Sequence, residues 1–527
     1  MIKFIKANWI LLFTLALALV FRFWQITRLP GGLFPDEAAN GLDINSILSG
    51  DLQPFYERGN GREALFFYVL AAVVAVFGRG HWQHHAVSAG FGFAAVLATY
   101  FLTKRLFGKR TALLATFFMS VASYATLISR TAFRANTVPF LAILTILFFV
   151  KALQTKQTKT RIWSGAAAGL FFALGFYTYT SFRMMLPLLF AFGVVLILGN
   201  RDKLAKYIKA YRGAASASAA AFLAGIAWLA YYFIRHPASF VGRAGQVSIF
   251  STDLNGGDTL GTFLKVFKAT ILSFFTQGDM NWRHNVAGAP FLSPLLSPLF
   301  AMALLIFTWS IFVLLKEIWQ KKLRPETIYK SLIASWFWLM LVPEVTTAEG
   351  IPHGLRLIGV MPAIFILPAW SASQIWEFLK NSRFKFMFNT KYVIAVFFLG
   401  TLFFTNFSLY FDAAANSPDY YYAFRSDLTM VSNYLNERNR PGSTYLSLDE
   451  FSVQTVDYLT TPTNRPYTLV DPARTYEVKL KKGDQVIFTQ STIFDRRKFV
   501  DHHPKTQLVR SEKNQFGEFI MLVYQEP

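Results

Sequence analysis

The sequence predicts a polytopic α-helical membrane protein with about eleven spans and a small extracytoplasmic α/β domain at its C-terminal end. Three observations carry that expectation. Long apolar runs recur along the chain, the loops between them alternate in basic charge, and the composition turns polar beyond residue 410. Of 527 residues, 54% are hydrophobic and 17% aromatic, with 56 Phe. Apolar runs of roughly 17–25 residues each suffice to cross a ~30 Å hydrocarbon layer as a helix, and soluble cores do not use so many of them. The formal charge of +22 would suggest nucleic acid in a soluble chain. Here it reads as basic cytoplasmic loops facing anionic headgroups, so the expected partners include membrane lipids and no nucleic acid. There is no cysteine, which excludes disulfides and thiolate chemistry.

The first apolar run follows MIKFIK and gives way to Trp24, Gln25 and Arg28 with no small-residue cleavage site, so 8–24 is a retained span rather than a signal peptide. Further spans fall at 83–103, 111–129, 135–153, 162–180, 184–200, 213–234, 293–315, 329–343, 355–376 and 391–410. One set of loops holds Lys3 and Lys6, the KRLFGKR stretch, and the basic residues from Lys151 to Arg161, Arg201 to Arg212 and Lys316 to Lys330. It continues with Lys380, Arg383, Lys385 and Lys391, and it is assigned to the cytoplasm. The apolar stretch Glu63–Phe77 conflicts with that assignment, because counting it as a span inverts every later loop. At about 15 residues it is short for a crossing, and it is laid along the outer surface.

The N-terminus is then cytoplasmic and the C-terminus outside, in a multi-pass protein of the cell membrane. Residues 1–410 form the transmembrane domain and 411–527 the outer α/β domain. The latter has a helix-like FRSDLTMVSNYLNER and strand-like runs at 444–448, 466–470, 485–489 and 519–524.

The chemistry gathers in the outer segments. Pro35 precedes Asp36 and Glu37, an acidic pair that opens a short helix. Acids in a first turn also serve the helix dipole with no other role. Against them stand Arg62, Arg130, Arg134, Arg183, Arg283 and Arg356, with His284 and His353 beside two of these. Arg130 and Arg134 are one helical turn apart and are expected to share a face. Single interfacial arginines snorkel to headgroups, but outer loops are otherwise poor in cations. A set of arginines there points to a bound anion, most naturally a phosphate, which the guanidinium fork suits. The histidines lack the paired spacing of a metal site.

An ordered set of motifs follows: the Asp36–Glu37 pair, REALFFY from Arg62, RLFGKR, SRTAFR, GFYTYTSFR, NWRHNVAGAP and HGLRLIGVMP. Over about residues 8–375 it resembles the C-type (GT-C) glycosyltransferases, and within them the protein O-mannosyltransferase and aminoarabinose transferase group. The resemblance implies a polyprenyl-phosphate-linked sugar as donor, transferred with inversion to a protein, lipid or glycan acceptor on the extracytoplasmic side. It implies Asp36 as the leading catalytic carboxylate, with Glu37 assisting and Glu63 near the same site. Arg62, Arg130, Arg134, Arg183 and Arg356 would hold the donor phosphate, and Arg283, His284 and His353 would contact substrate. The acidic pair is of the ligand type for a divalent metal, and nothing else in the sequence demands one. The chain departs from eukaryotic protein mannosyltransferases in lacking their sugar-domain repeats in an outer loop.

A transporter or flippase for a lipid-linked or anionic substrate is the rival reading. It predicts mid-span ionisable residues and two related halves, whereas the charges here collect at one face and the halves show no symmetry. A scaffold anchoring the outer domain would need no acids opposed to arginines.

Overall fold

The computed structural model describes residues 2–241, 247–381, 387–437, 442–460 and 467–527. Arg383 and Lys385 of the basic loops, Arg438 at the end of the helix-like run and Pro466 at the start of a strand-like run lie outside them. The chain divides into two compact units. One comprises Met1–Trp24, Gln53–Phe66 and Ser88–Ala413, and the other Gln25–Leu52, Phe67–Val87 and Ala414–Pro527.

The first unit is helical because its apolar runs have no alternative. Backbone polar groups in an apolar medium must bond within their own segment, and the helix achieves that. Every stretch read as a span falls on a helix, from Ile2–Phe23 to Met387–Ser408. The stretch 83–103 and the first part of 111–129 lie on the single helical run His81–Val121, which breaks at Gly108 (φ 86°, ψ 174°), and the rest of the second falls on Ser123–Arg130. Eight helices among the described residues are long and apolar enough to cross a membrane. The stretch after Glu63 forms the helix Leu65–Phe77, only 13 residues long.

Burial separates inner from outer helices. In Arg356–Lys380, 83% of the apolar stretch is buried inside the protein, against 6% in Arg201–Arg235 and 11% in Thr390–Ala414. Outward faces as apolar as those around Phe190, Trp309, Phe397 and Phe404 need a non-aqueous surrounding. The chain is a multi-pass membrane protein.

The core of this unit is aromatic. Phe274, Phe300 and Phe337 pack within 5.6–5.7 Å of one another, and the Trp336 indole N–H donates to the Gly359 carbonyl at 3.0 Å. Glycines let two helices approach closely. A Cβ on Gly165 would lie 2.4 Å from the Ala214 carbonyl oxygen, and one on Gly169 would lie 2.0 Å from that of Ser218. Thr158–Gly175 and Leu204–Arg235 therefore meet backbone to backbone along a small-xxx-small seam. In the same unit a two-stranded ribbon pairs β1 (Phe55–Tyr56) with β2 (Arg62–Glu63), Phe55 facing Glu63 and Tyr56 facing Arg62.

The second unit holds a five-stranded mixed sheet: β3 (Thr444–Ser447), β4 (Thr468–Val470), β5 (Gln485–Thr489), β6 (Gln507–Lys513) and β7 (Phe519–Gln525), in the order β4-β3-β5-β7-β6. β3 runs parallel to β4 and β5, while β7 is antiparallel to β5 and β6. Leu446, Ile487 and Val523 of the sheet pack with Leu428, Val431, Leu435 and Val456 of the helices. Four of these strands match runs expected from the sequence. β6 does not, because as an edge strand exposed along most of its length it carries no apolar alternation.

Candidate active site

In the second unit, Pro35 starts the helix Pro35–Leu48 at the position where a missing N–H costs nothing. Glu37 turns back on this start. Its carboxylate accepts from the Phe34 N–H at 3.0 Å and lies fully buried, 3.7 Å from His85 Nε2. Asp36, one residue earlier, is only half-buried. The acidic pair thus divides: Glu37 is built into the helix end, and Asp36 stands at the surface of the unit.

His81, His84 and His85 share a helical face, and the His84 ring meets the Tyr458 ring edge-on at 4.9 Å. The ring nitrogens of His84 and His85 are buried without a hydrogen bond. Sequence reasoning passed over this cluster, although three histidines within HWQHH were its signal. The helix Pro35–Leu48 fits tightly at Gly41, where a Cβ would lie 2.5 Å from the Tyr458 ring.

In the first unit, the ribbon delivers Glu63. Its carboxylate is 2% exposed, accepts from Arg134 Nε at 2.9 Å, and lies 4.0 Å from Arg183 Nη2. Arg134 also donates to the Gly61 carbonyl at 3.3 Å and sits over the Tyr179 ring at 5.3 Å. Arg183 donates to the Phe240 carbonyl at 2.9 Å and covers that ring at 4.4 Å. Both arginines occupy tight turns, Arg134–Asn136 and Thr180–Met184, that lead into long apolar helices. One carboxylate between two guanidiniums leaves the trio with net positive charge, a fit for an anion. Arg62, which precedes Glu63 in β2, is buried.

Arg130 goes elsewhere. Its helix, Ser123–Arg130, ends at Thr131, which is extended (φ −90°, ψ 128°), so Arg130 and Arg134 do not share a helical face as expected. Arg130 is fully buried, donates to the Phe21 and Trp24 carbonyls at 3.2 and 2.8 Å, and packs on the Tyr410 and Phe411 rings. It ties down the end of the first helix. Arg356 donates to the carbonyl and the carboxylate of Glu349.

A third cluster joins two loops of the first unit. His284 Nδ1 lies 2.9 Å from Asp279 Oδ2, which also accepts from the Gly354 N–H at 2.9 Å. The His284 and His353 rings stack at 4.3 Å, and the His353 N–H donates to the Glu344 carboxylate at 2.8 Å. Burial lowers the proton affinity of His284 against the pull of Asp279, favouring the neutral ring. Ligand atoms of Asp279, His284 and His353 all lie within 4.8 Å of one another, a set able to hold a metal ion. Asp279 was passed over in the sequence because its spacing to His284 follows neither helix nor strand period. The backbone of Arg283 adds a tie, its carbonyl accepting from the Thr131 hydroxyl at 3.0 Å.

Residues 64–228 match the family model of the dolichyl-phosphate-mannose-protein mannosyltransferases. Among solved structures, ArnT from Cupriavidus metallidurans in the apo state aligns with a TM-score of 0.55 at 12% identity, over 98% of each chain. The same protein bound to undecaprenyl phosphate aligns at 0.53 and 13%, again over 98% of each chain. The fold is that of the GT-C glycosyltransferases. A further GT-C match is the archaeal oligosaccharyltransferase AglB from Archaeoglobus fulgidus, in complex with an inhibitory peptide and a dolichol-phosphate. It aligns at 0.52 and 12% identity, over 99% of this chain and 75% of that one. No curated protein matches the sequence. At such identities the GT-C likeness is one of fold, and the segment matched by the mannosyltransferase model contains both Arg134 and Arg183.

Proposed function

We propose that this chain is a membrane glycosyltransferase that moves a sugar from a polyprenyl-phosphate donor to an acceptor hydroxyl on the extracytoplasmic face, with inversion. The observation that carries the reading is the Glu63–Arg134–Arg183 trio, a net positive group on turns that open apolar helices. A lipid phosphate needs such a place, with a charged end for its headgroup and apolar surface for its tail. Two proteins of the same fold support it, one described with undecaprenyl phosphate and the other with dolichol-phosphate.

The roles follow from charge. The acceptor oxygen bonds to the anomeric carbon, its proton passes to Asp36, and the bond from that carbon to the phosphate oxygen breaks. The departing polyprenyl phosphate gains a negative charge, which Arg134, Arg183 and Arg62 stabilise. Glu63 holds the two arginines in place and is a positioning residue. Glu37 serves the helix that presents Asp36, Arg130 and Arg356 serve the scaffold, and the two loops that carry Arg283 with His284 and His353 support the turn of Arg134. The N-terminus lies in the cytoplasm and the outer domain, residues 411–527, on the reaction side.

The test is transfer from a purified polyprenyl-phosphate sugar by the detergent-solubilised chain. Asp36→Asn is expected to abolish transfer at normal expression, and Arg134→Gln or Arg183→Gln to lower kcat/KM by about 10²-fold each. Full turnover by Asp36→Asn overturns the assignment.

A further inference from the structure

We infer that Asp279, His284 and His353 form a binding site for a divalent transition-metal cation of the zinc class. Their ligand atoms lie within 4.8 Å of one another, with Asp279 and His284 buried and His353 half-buried. Two imidazoles with carboxylate oxygen is a donor set that suits zinc and its neighbours, whereas magnesium and calcium prefer oxygen alone. The contact of His284 Nδ1 with Asp279 fixes which ring edge faces the carboxylate and leaves the other nitrogen as a basic donor.

A second observation points the same way. Glu344 is fully buried, and while one of its oxygens accepts from the His353 N–H, the other, Oε2, has no hydrogen-bond partner. A bare carboxylate oxygen in the interior is costly unless a positive charge compensates it. A cation at the adjoining triad supplies that charge, with Glu344 as a further ligand or as the partner of a metal-bound water.

The site would be a clasp. Asp279 and His284 belong to one loop and His353 to another, so a shared ion closes the two together. The first loop carries the Arg283 carbonyl that receives the Thr131 hydroxyl, and His284 packs 5.7 Å from Phe133. Those residues form the turn that leads directly to Arg134. Metal binding itself does not depend on the proposed transfer reaction; only the consequence for Arg134 rests on it.

The experiment uses the full-length, tag-free chain in detergent, stripped with a chelator and titrated with zinc or magnesium. About one zinc per chain is expected, with a rise in unfolding temperature that magnesium does not reproduce. The double variant His284→Gln/His353→Gln should lose both effects, while His502→Gln/His503→Gln, at the C-terminal end of the helix Arg496–His502, should keep them. Equal zinc uptake by wild type and the first double variant overturns the site, as does a magnesium response equal to that of zinc. Cobalt(II) gives a reading that needs only a mild variant: visible absorption bands seen in the wild type should be lost in Asp279→Asn, and their persistence unchanged overturns the site.

Discussion

A buried carboxylate persists only where charge and hydrogen bonds replace the water it has lost, and Glu63 meets that condition through Arg134 and Arg183. Removing one partner of such a pair leaves the other uncompensated, at a cost of roughly 3–5 kcal/mol. Glu63→Ala should lower the unfolding temperature in detergent clearly, and Arg134→Ala/Glu63→Ala should recover part of that loss in a double-mutant cycle. Additive losses in the cycle would show that the pair does not couple. In the unit that holds the five-stranded sheet, burial opposes the charge of Asp449, but the Ser452 N–H at 2.8 Å and nearby Arg425 outweigh it and hold the carboxyl below its ordinary value. A carboxyl depressed by folding stabilises the fold fully above its unfolded value, near pH 4, and loses that contribution as pH falls through the folded value. Amide protection in the helix Val453–Leu459, measured relative to intrinsic exchange, should therefore fall as pH drops below about 4 in the wild type, and Asp449→Asn should flatten that change.

At the scale of elements, two close approaches limit what the sequence tolerates. Gly169 lies against the Ser218 carbonyl, so Gly169→Leu should force Thr158–Gly175 away from Leu204–Arg235 and cost several kcal/mol of stability, read as loss of folded protein in detergent. Gly90→Leu, where the structure leaves open space, is the matching control. Gly41 makes the same kind of contact with Tyr458, so Gly41→Ala should lower the melting point unless Tyr458 is trimmed as well. The sequence marked Gly165 and Gly169 only as small residues in an apolar run. Their partner helix begins some forty residues further on, beyond the reach of local periodicity.

For the whole molecule, orientation is the property the loop charges predict. With no native cysteine, a single introduced thiol reports it cleanly. Ser49 is exposed at the end of the helix Pro35–Leu48 and is nearly isosteric with cysteine, whereas the adjacent Gly50 has a φ of 95° that a side chain would strain. Ser49→Cys should react with a membrane-impermeant maleimide on intact cells. Labelling only after permeabilisation would reverse the orientation.

The sequence by itself determined where the helices run, which loops are basic and that the chain ends in an α/β unit, because apolar length, loop charge and strand alternation are local properties that need no partner. It also marked most of the charged residues of the outer segments. Tertiary structure alone decided which of them work together. The extended backbone after Arg130 sent that arginine to the first helix and Arg134 to Glu63. The start of one helix absorbed Glu37 and left Asp36 at the surface. Two loops some seventy residues apart brought Asp279 and His284 to His353. Such groupings depend on how distant turns meet in space, and no spacing along the chain encodes them.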